Sequence, residues 1–275
     1  MKTKIRNSIR RLLLIPLVFV CFALSPRAQA VVPAPDGGYP GQNTAEGTQA
    51  LFSLTTGIFN TADGFHALFH ETNGSSNVTV GSQALFSDVG GNNNTAVGDH
   101  ALFLNEGGQL GSDNTAIGTD ALRNNKTGGA NTATGFHALF SNTTGIINTA
   151  TGNQALQSNT LGTFNTADGS AALSANVEGL ANTAVGAVAL GNNIEGDQNT
   201  AIGTEALAVN TGTNNIGLGF RAGFNLTTGS NNIDIGNEGV AAESGTIRVG
   251  TQGTQTATYI AGIFGATAPD GVGVA

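Results

Sequence analysis

The chain is 275 residues long, and only a tenth of them are charged, with Asp and Glu outnumbering Lys and Arg by 18 to 10. Glycine is abundant at 41 residues, tryptophan is absent, and a single cysteine allows no disulfide within the chain. A formal charge of −8 offers no basic face for phosphate, so a nucleic-acid partner is disfavoured.

The first thirty residues read as a secretory signal peptide. Lys2, Lys4, Arg6, Arg10 and Arg11 form a basic start, Leu12 to Leu24 an apolar stretch, and Ala28-Gln29-Ala30 a small-x-small cleavage site. Thirteen apolar residues are short for a membrane span. The one cysteine, Cys21, falls inside this segment, and Val18-Phe19-Val20 before it does not suit a lipoprotein signal. Once the segment is removed, four basic residues (Arg123, Lys126, Arg221, Arg248) face all eighteen acidic ones, a net charge of −14 that favours solubility outside the cell. Residues 31–42 read as an N-terminal linker.

From Asn43 the chain is periodic. Asn-Thr-Ala returns at Asn43, Asn60, Asn94, Asn114, Asn131, Asn148, Asn165, Asn182 and Asn199, and Asn77, Asn215 and Asn232 begin degenerate copies. The step is seventeen residues except from Asn94 to Asn114 (twenty) and from Asn199 to Asn215 (sixteen). A fixed short period means one structural unit stacked on copies of itself, so residues 43–250 form one repeat domain of about twelve coils. The unit reads Asn-Thr-Ala-x-Gly-x-x-Ala-Leu-Phe followed by a polar stretch such as Ser141-Asn142-Thr143-Thr144-Gly145.

Glycine, Asn and Thr without an apolar pattern at three and four exclude helix. The pattern predicts an all-β parallel solenoid, with one short strand at Thr95-Ala96-Val97, a second at His100 to Phe103 and a turn at Gly98 between them; an antiparallel meander is the alternative. The faithful columns favour the solenoid, in which like stacks on like roughly 4.8 Å apart. Leu51, Leu68, Leu85, Leu102, Leu122, Leu139, Leu156, Leu173, Leu190 and Leu207 then form the core row, with small alanines before them. The repeat asparagines suit a left-handed turn position and a ladder of stacked amides. So thin a core implies association with further copies.

The stretches Asn93-Asn94-Thr95-Ala96-Val97-Gly98, Asn231-Asn232-Ile233-Asp234-Ile235-Gly236 and Ser244-Gly245-Thr246-Ile247-Arg248-Val249-Gly250 resemble the head repeat of trimeric autotransporter adhesins of the YadA-like type. The resemblance implies a left-handed parallel β-roll, three chains to a trimer, shown on a bacterial surface. The family's usual fourteen-residue step appears here only from Asn232 to Thr246, and threonine often replaces the first apolar strand residue. The run Gly253 to Ile263 resembles the segment that precedes a self-cleaving chaperone domain in tail-fibre-like proteins. Residues 251–275 thus read as a C-terminal segment, either cut short or anchored by another polypeptide.

No catalytic constellation, cofactor site or metal site is expected. His66, His100 and His137 share a column, but Gln83 and Asp120 intervene, and His70 lies nearby; solvated surface histidines are the reading. Glu46, Asp63 and Asp168 share another column, where a structural cation is the weaker reading. No Gly-x-Ser-x-Gly elbow occurs, and coil-spaced glycines such as Gly217 and Gly219 do not signal a nucleotide loop.

Two rows bear on partners. Phe52, Phe69, Phe86 and Phe103 occupy one column, either as an adhesive stripe or buried at an interface. The threonine row from Thr44 to Thr200 raises an ice-binding solenoid, although Thr-x-Thr occurs only at Thr132-Ala133-Thr134 and Thr149-Ala150-Thr151. The expected function is therefore a non-catalytic exported protein at the cell surface or outer membrane. It would act as a homotrimeric adhesin head or fibre shaft meeting host or matrix proteins or another surface. A phage-derived tail-fibre or spike shaft is the alternative.

Overall fold

A computed structural model describes residues 39–251 and 253–256. The signal-peptide segment, most of the linker and most of the C-terminal segment lie outside the described residues. The chain folds as a parallel β-solenoid in which each coil contributes one three-residue strand. The strands are β1 (Thr44–Glu46), β2 (Thr61–Asp63), β3 (Val78–Val80), β4 (Thr95–Val97), β5 (Thr115–Ile117), β6 (Thr132–Thr134) and β7 (Thr149–Thr151). They continue as β8 (Thr166–Asp168), β9 (Thr183–Val185), β10 (Thr200–Ile202), β11 (Ile216–Leu218), β12 (Ile233–Ile235) and β13 (Ile247–Val249). All thirteen form one sheet in chain order, and every neighbouring pair is parallel and in register, as in Thr132↔Thr149 and Ala133↔Ala150. At the usual strand spacing the sheet is about 58 Å long.

Each strand is short because a glycine ends it. Gly118 follows β5 at φ +133°, and a Cβ built there would stand 2.6 Å from the carbonyl oxygen of Gly135 in the next coil. The column therefore needs glycine twice over, for its dihedral and for the approach of the next coil.

The apolar interior is made of three columns. The middle residue of each strand, the alanine before each leucine and the leucine itself point inward. Leu51 is 7 % exposed and the other nine leucines of the row are fully buried. The central strand column is alanine in most coils and is broken only by Thr79, Gly217, Asp234 and Arg248.

The expected second strand is absent. His100 to Phe103 is a run of turns, and its counterpart is the same in every coil from Asn43 to the one that begins at Asn215. The reason is backbone handedness: His100 and Leu102 stand at φ 55° and 53°, and all ten row leucines lie between 49° and 53°. Left-handed backbone at alternate residues bends the chain too sharply for a strand, and it costs roughly 1–2 kcal/mol per residue. Full burial of a leucine, at roughly 1.5–3 kcal/mol, offsets that cost. The turns still bond from coil to coil, Leu102 N–H donating to Ala121 O at 2.9 Å and His100 N–H to Ser82 O at 3.0 Å.

The repeat asparagines do form a ladder, but for a different backbone reason than the sequence suggests. The left-handed residue is the one before each of them, such as Asn93, Asp113, Ala130 and Ile147. Each repeat asparagine is buried. Asn131 Oδ1 accepts the N–H of Asn148 at 3.0 Å, and Asn131 Nδ2 donates to Gly145 O at 2.9 Å.

A second buried ladder runs eleven residues further along each coil, through Asn105, Asn125, Asn142, Asn159, Asn176 and Asn193. The two ladders share acceptors: Gly128 O receives Nδ2 of Asn114 at 2.9 Å and Nδ2 of Asn125 at 2.8 Å. The outer turn is thereby tied to the strand side and the leucine side at one point. Leucines occupy the two ends of this second column, Leu54 before it and Leu226 after it.

Candidate interaction surfaces and buried charge

The outer side of the sheet is built by the first and third residues of each strand, which point away from the core. Threonine holds the first place from β4 to β10, while aliphatic residues gather towards β13. Val185, Ile202, Ile216, Leu218, Ile235, Ile247 and Val249 are all exposed there, the last two by 69 % and 65 %. The carboxylates on this face are Glu46, Asp63 and Asp168, all exposed. Glu46 and Asp63 are register partners in adjacent strands, and Asp168 stands between Thr151 and Val185. Among the described residues no three His, Cys, Asp or Glu side chains come together as metal ligands would need.

The phenylalanine column lies on the turn side of the coil. Phe52, Phe69, Phe86 and Phe103 stack nearly parallel, with centroids 5.2, 5.4 and 5.2 Å apart and planes within 12°. Arg123 continues the column, its guanidinium 5.6 Å from the Phe103 ring and 6.0 Å from the Phe140 ring. The ring faces are used on one another, so the row presents edges. Among the described residues only the leading ring, Phe52, has a free face, and it is 64 % exposed while the other three are half-buried.

The histidines sit in the same turns, and His66, His100 and His137 each pair with the side chain one coil earlier in their own column. His66 Nε2 lies 2.6 Å from Gln49 Oε1, His100 Nε2 2.7 Å from Gln83 Oε1, and His137 Nε2 3.4 Å from Asp120 Oδ2. His70 stands edge-on between Phe69 and Phe86.

The twenty-residue step takes up its three additional residues in a four-residue 3₁₀ helix, Gly108–Gly111. It projects from the outer turn and, with Thr72, Asn73, Val89, Gly90, Asn92, Glu106 and Gly107, encloses an open cleft of about 650 Å³.

No family model, curated protein or solved structure matches this chain. The chemistry of the rod must be read from its own residues.

Sequence reasoning passed over three buried carboxyls. Glu71 and Asp88 take the places in the second ladder that asparagine holds in later coils, and both are fully buried. Burial, then the neighbouring Glu71, pushes the Asp88 carboxyl up to about 8, against opposing hydrogen bonds from Gly91 and Asn105. Asp234 takes the alanine place in β12, is 1 % exposed, and neither of its carboxylate oxygens has a hydrogen-bond partner. Burial first and Glu243 second raise it to about 6, while Arg248 opposes the rise. Arg248, its register neighbour in β13, is committed elsewhere, gripping Glu243 through Nε at 2.8 Å and Nη2 at 2.7 Å. That grip holds the Glu243 carboxyl below its usual range. The available signal was positional: an acid in a column otherwise filled by asparagine or alanine.

Proposed function

We propose that this chain is a non-catalytic exported protein whose rod assembles as a parallel homotrimer and serves at the cell surface as an adhesin head or fibre shaft. The observation that carries the reading is the open side of the sheet. Parallel sheets are ordinarily covered on both faces, and here the coil interior covers only one. The other carries no Lys or Arg among its outward residues and becomes aliphatic from β9 to β13. Contiguous exposed apolar surface of that kind marks an interface. The repeat's resemblance to YadA-like heads supplies the number three, and parallel packing would set equal coils of the three chains at equal heights. The turn side, with the phenylalanine stack, would remain outside to meet host or matrix proteins or another surface.

Analytical ultracentrifugation of residues 31–275 across a dilution series tests this. The expected species is a trimer of about 75 kDa by the usual mass per residue. Leu218→Asp, on the exposed face, should shift it towards monomer while the circular-dichroism spectrum is kept. A folded monomer at every concentration would overturn the reading.

Ice binding is a second reading with an observation of its own: the threonines of β4 to β10 stand in register along the outer face. It competes with trimerisation for the same surface, so it predicts a folded monomer that shapes ice crystals. The phage-derived shaft shares the trimer and differs in lacking a cell-binding activity.

A further inference from the structure

The second ladder has a direction. Nδ2 of each asparagine donates to Oδ1 of the rung before it, from Asn193 to Asn176 (2.9 Å), Asn176 to Asn159 (2.8 Å), Asn159 to Asn142 (2.9 Å), Asn142 to Asn125 (2.7 Å) and Asn125 to Asn105 (2.9 Å). Asn105 donates in turn to Oδ1 of Asp88 at 3.2 Å. There the N–H groups end, because the next two rungs are Asp88 and Glu71.

One oxygen of each carboxyl is satisfied. Asp88 Oδ1 also accepts Gly91 N–H at 3.1 Å, and Glu71 Oε1 accepts the N–H groups of Asn73 at 3.0 Å and Gly74 at 2.5 Å. The other oxygens, Asp88 Oδ2 and Glu71 Oε2, are buried without any donor. Two such carboxylates on adjacent rungs cannot both stay ionised out of water.

We propose that a single proton on Asp88, donated to Glu71, completes this ladder, making the N-terminal coils a latch that is closed by acid and released in alkali. The proton does for Asp88 what Nδ2 does for each rung from Asn105 to Asn193. A cation is the poorer occupant, since it needs six or more oxygens and the inner oxygens here already face N–H groups. The raised Asp88 pKa agrees with this placement, and Glu71 is the one charge acting on it. Among the described residues the other titratable side chains of the adjoining turns, His70, Glu106 and Lys126, are exposed. The cleft beside Thr72, Asn73, Val89 and Gly90 gives the pair a short route to solvent.

The sign follows from linkage. The folded state keeps the proton to about pH 8, while the unfolded chain loses it near 3.8, so this contribution is full below about 4, declines up to 8 and is gone above it. Hydrogen exchange of the full chain at pH 6, 7, 8 and 9, corrected for intrinsic rates, reads it directly, whether or not the rod trimerises. Protection of residues 61–97 should fall roughly tenfold per pH unit up to about 8 and then level off. Asp88→Asn restores an N–H donor and should abolish that slope. The infrared carboxylic-acid band should be present in the wild type at pH 6 and lost above pH 8. Equal slopes in the two proteins, no carboxylic-acid band at pH 6, or protection that a chelator removes would each overturn the proposal.

Discussion

Asn142 Nδ2 donates to Asn125 Oδ1, one coil away, at 2.7 Å, and both residues are fully buried. This bond repeats along the rod, so a polar column runs beside the leucine row with its rungs paired. A buried amide is costly only when unpaired. From Asn105 to Asn193 the solenoid makes pairing automatic, because the partner of each rung is its own copy; the chain of bonds breaks at the next rung, where Asn210 Nδ2 does not reach Asn193 Oδ1.

Removing one rung tests that logic. Asn159→Ala takes donors from Gly162 O and Asn142 Oδ1 and leaves Asn176 Nδ2 with Gly179 O as its remaining acceptor. A loss of roughly 2–4 kcal/mol is expected in denaturant unfolding. A change below half a kcal/mol would mean that water replaces the rung without cost.

The leucine row should be far less tolerant of charge than of shortening. Leu139→Ala should cost about 2–5 kcal/mol, whereas Leu139→Asp buries an unpaired carboxylate and should melt the neighbouring coils together. Circular-dichroism melts of the two variants against the parent check it, and a parent-like melt for Leu139→Asp would refute the interior placement.

Two glycines separate dihedral cost from contact cost. Gly118 and Gly108 both have positive φ, but only Gly118 lies against the next coil, while nothing approaches Gly108 within 4 Å. Gly108→Ala should cost about 1 kcal/mol, and Gly118→Ala several times more. Similar costs would show that the coils can move apart to admit a methyl group.

The phenylalanine column divides in the same manner. Phe86 stacks on Phe69 and Phe103, so Phe86→Ser should lower stability by roughly 1–3 kcal/mol. Phe52→Ser should leave the melt nearly unchanged and, if the stack is the adhesive surface, weaken binding to matrix proteins or cells. Unchanged binding would move the contact surface to another side of the coil.

Much of this fold is legible in the sequence because stacking turns a period into a structure. The leucine row, the glycine turn and the in-register strand follow from the seventeen-residue step alone. The second strand at His100 to Phe103 was misjudged because apolar content there signals burial and is silent on handedness; left-handed leucines are uncommon enough that no composition rule anticipates them. The second asparagine column was hidden for a different reason. Ser141-Asn142-Thr143-Thr144-Gly145 reads as a solvated turn, and only closure of the coil brings Asn142 inside. Glu71, Asp88 and Asp234 were missed with it, since an acid looks ordinary until its column is known to be buried.

Leu54 and Leu226 end the second asparagine column, and Leu226 ends it inside the rod, not at its tip. Leu226 is fully buried, and β12 and β13 stack beyond it through strand pairing and the repeat asparagines. A hydrocarbon side chain offers no partner to the next amide. The coils beyond Leu226 therefore lack the second ladder, and they are the place where the rod would fray first.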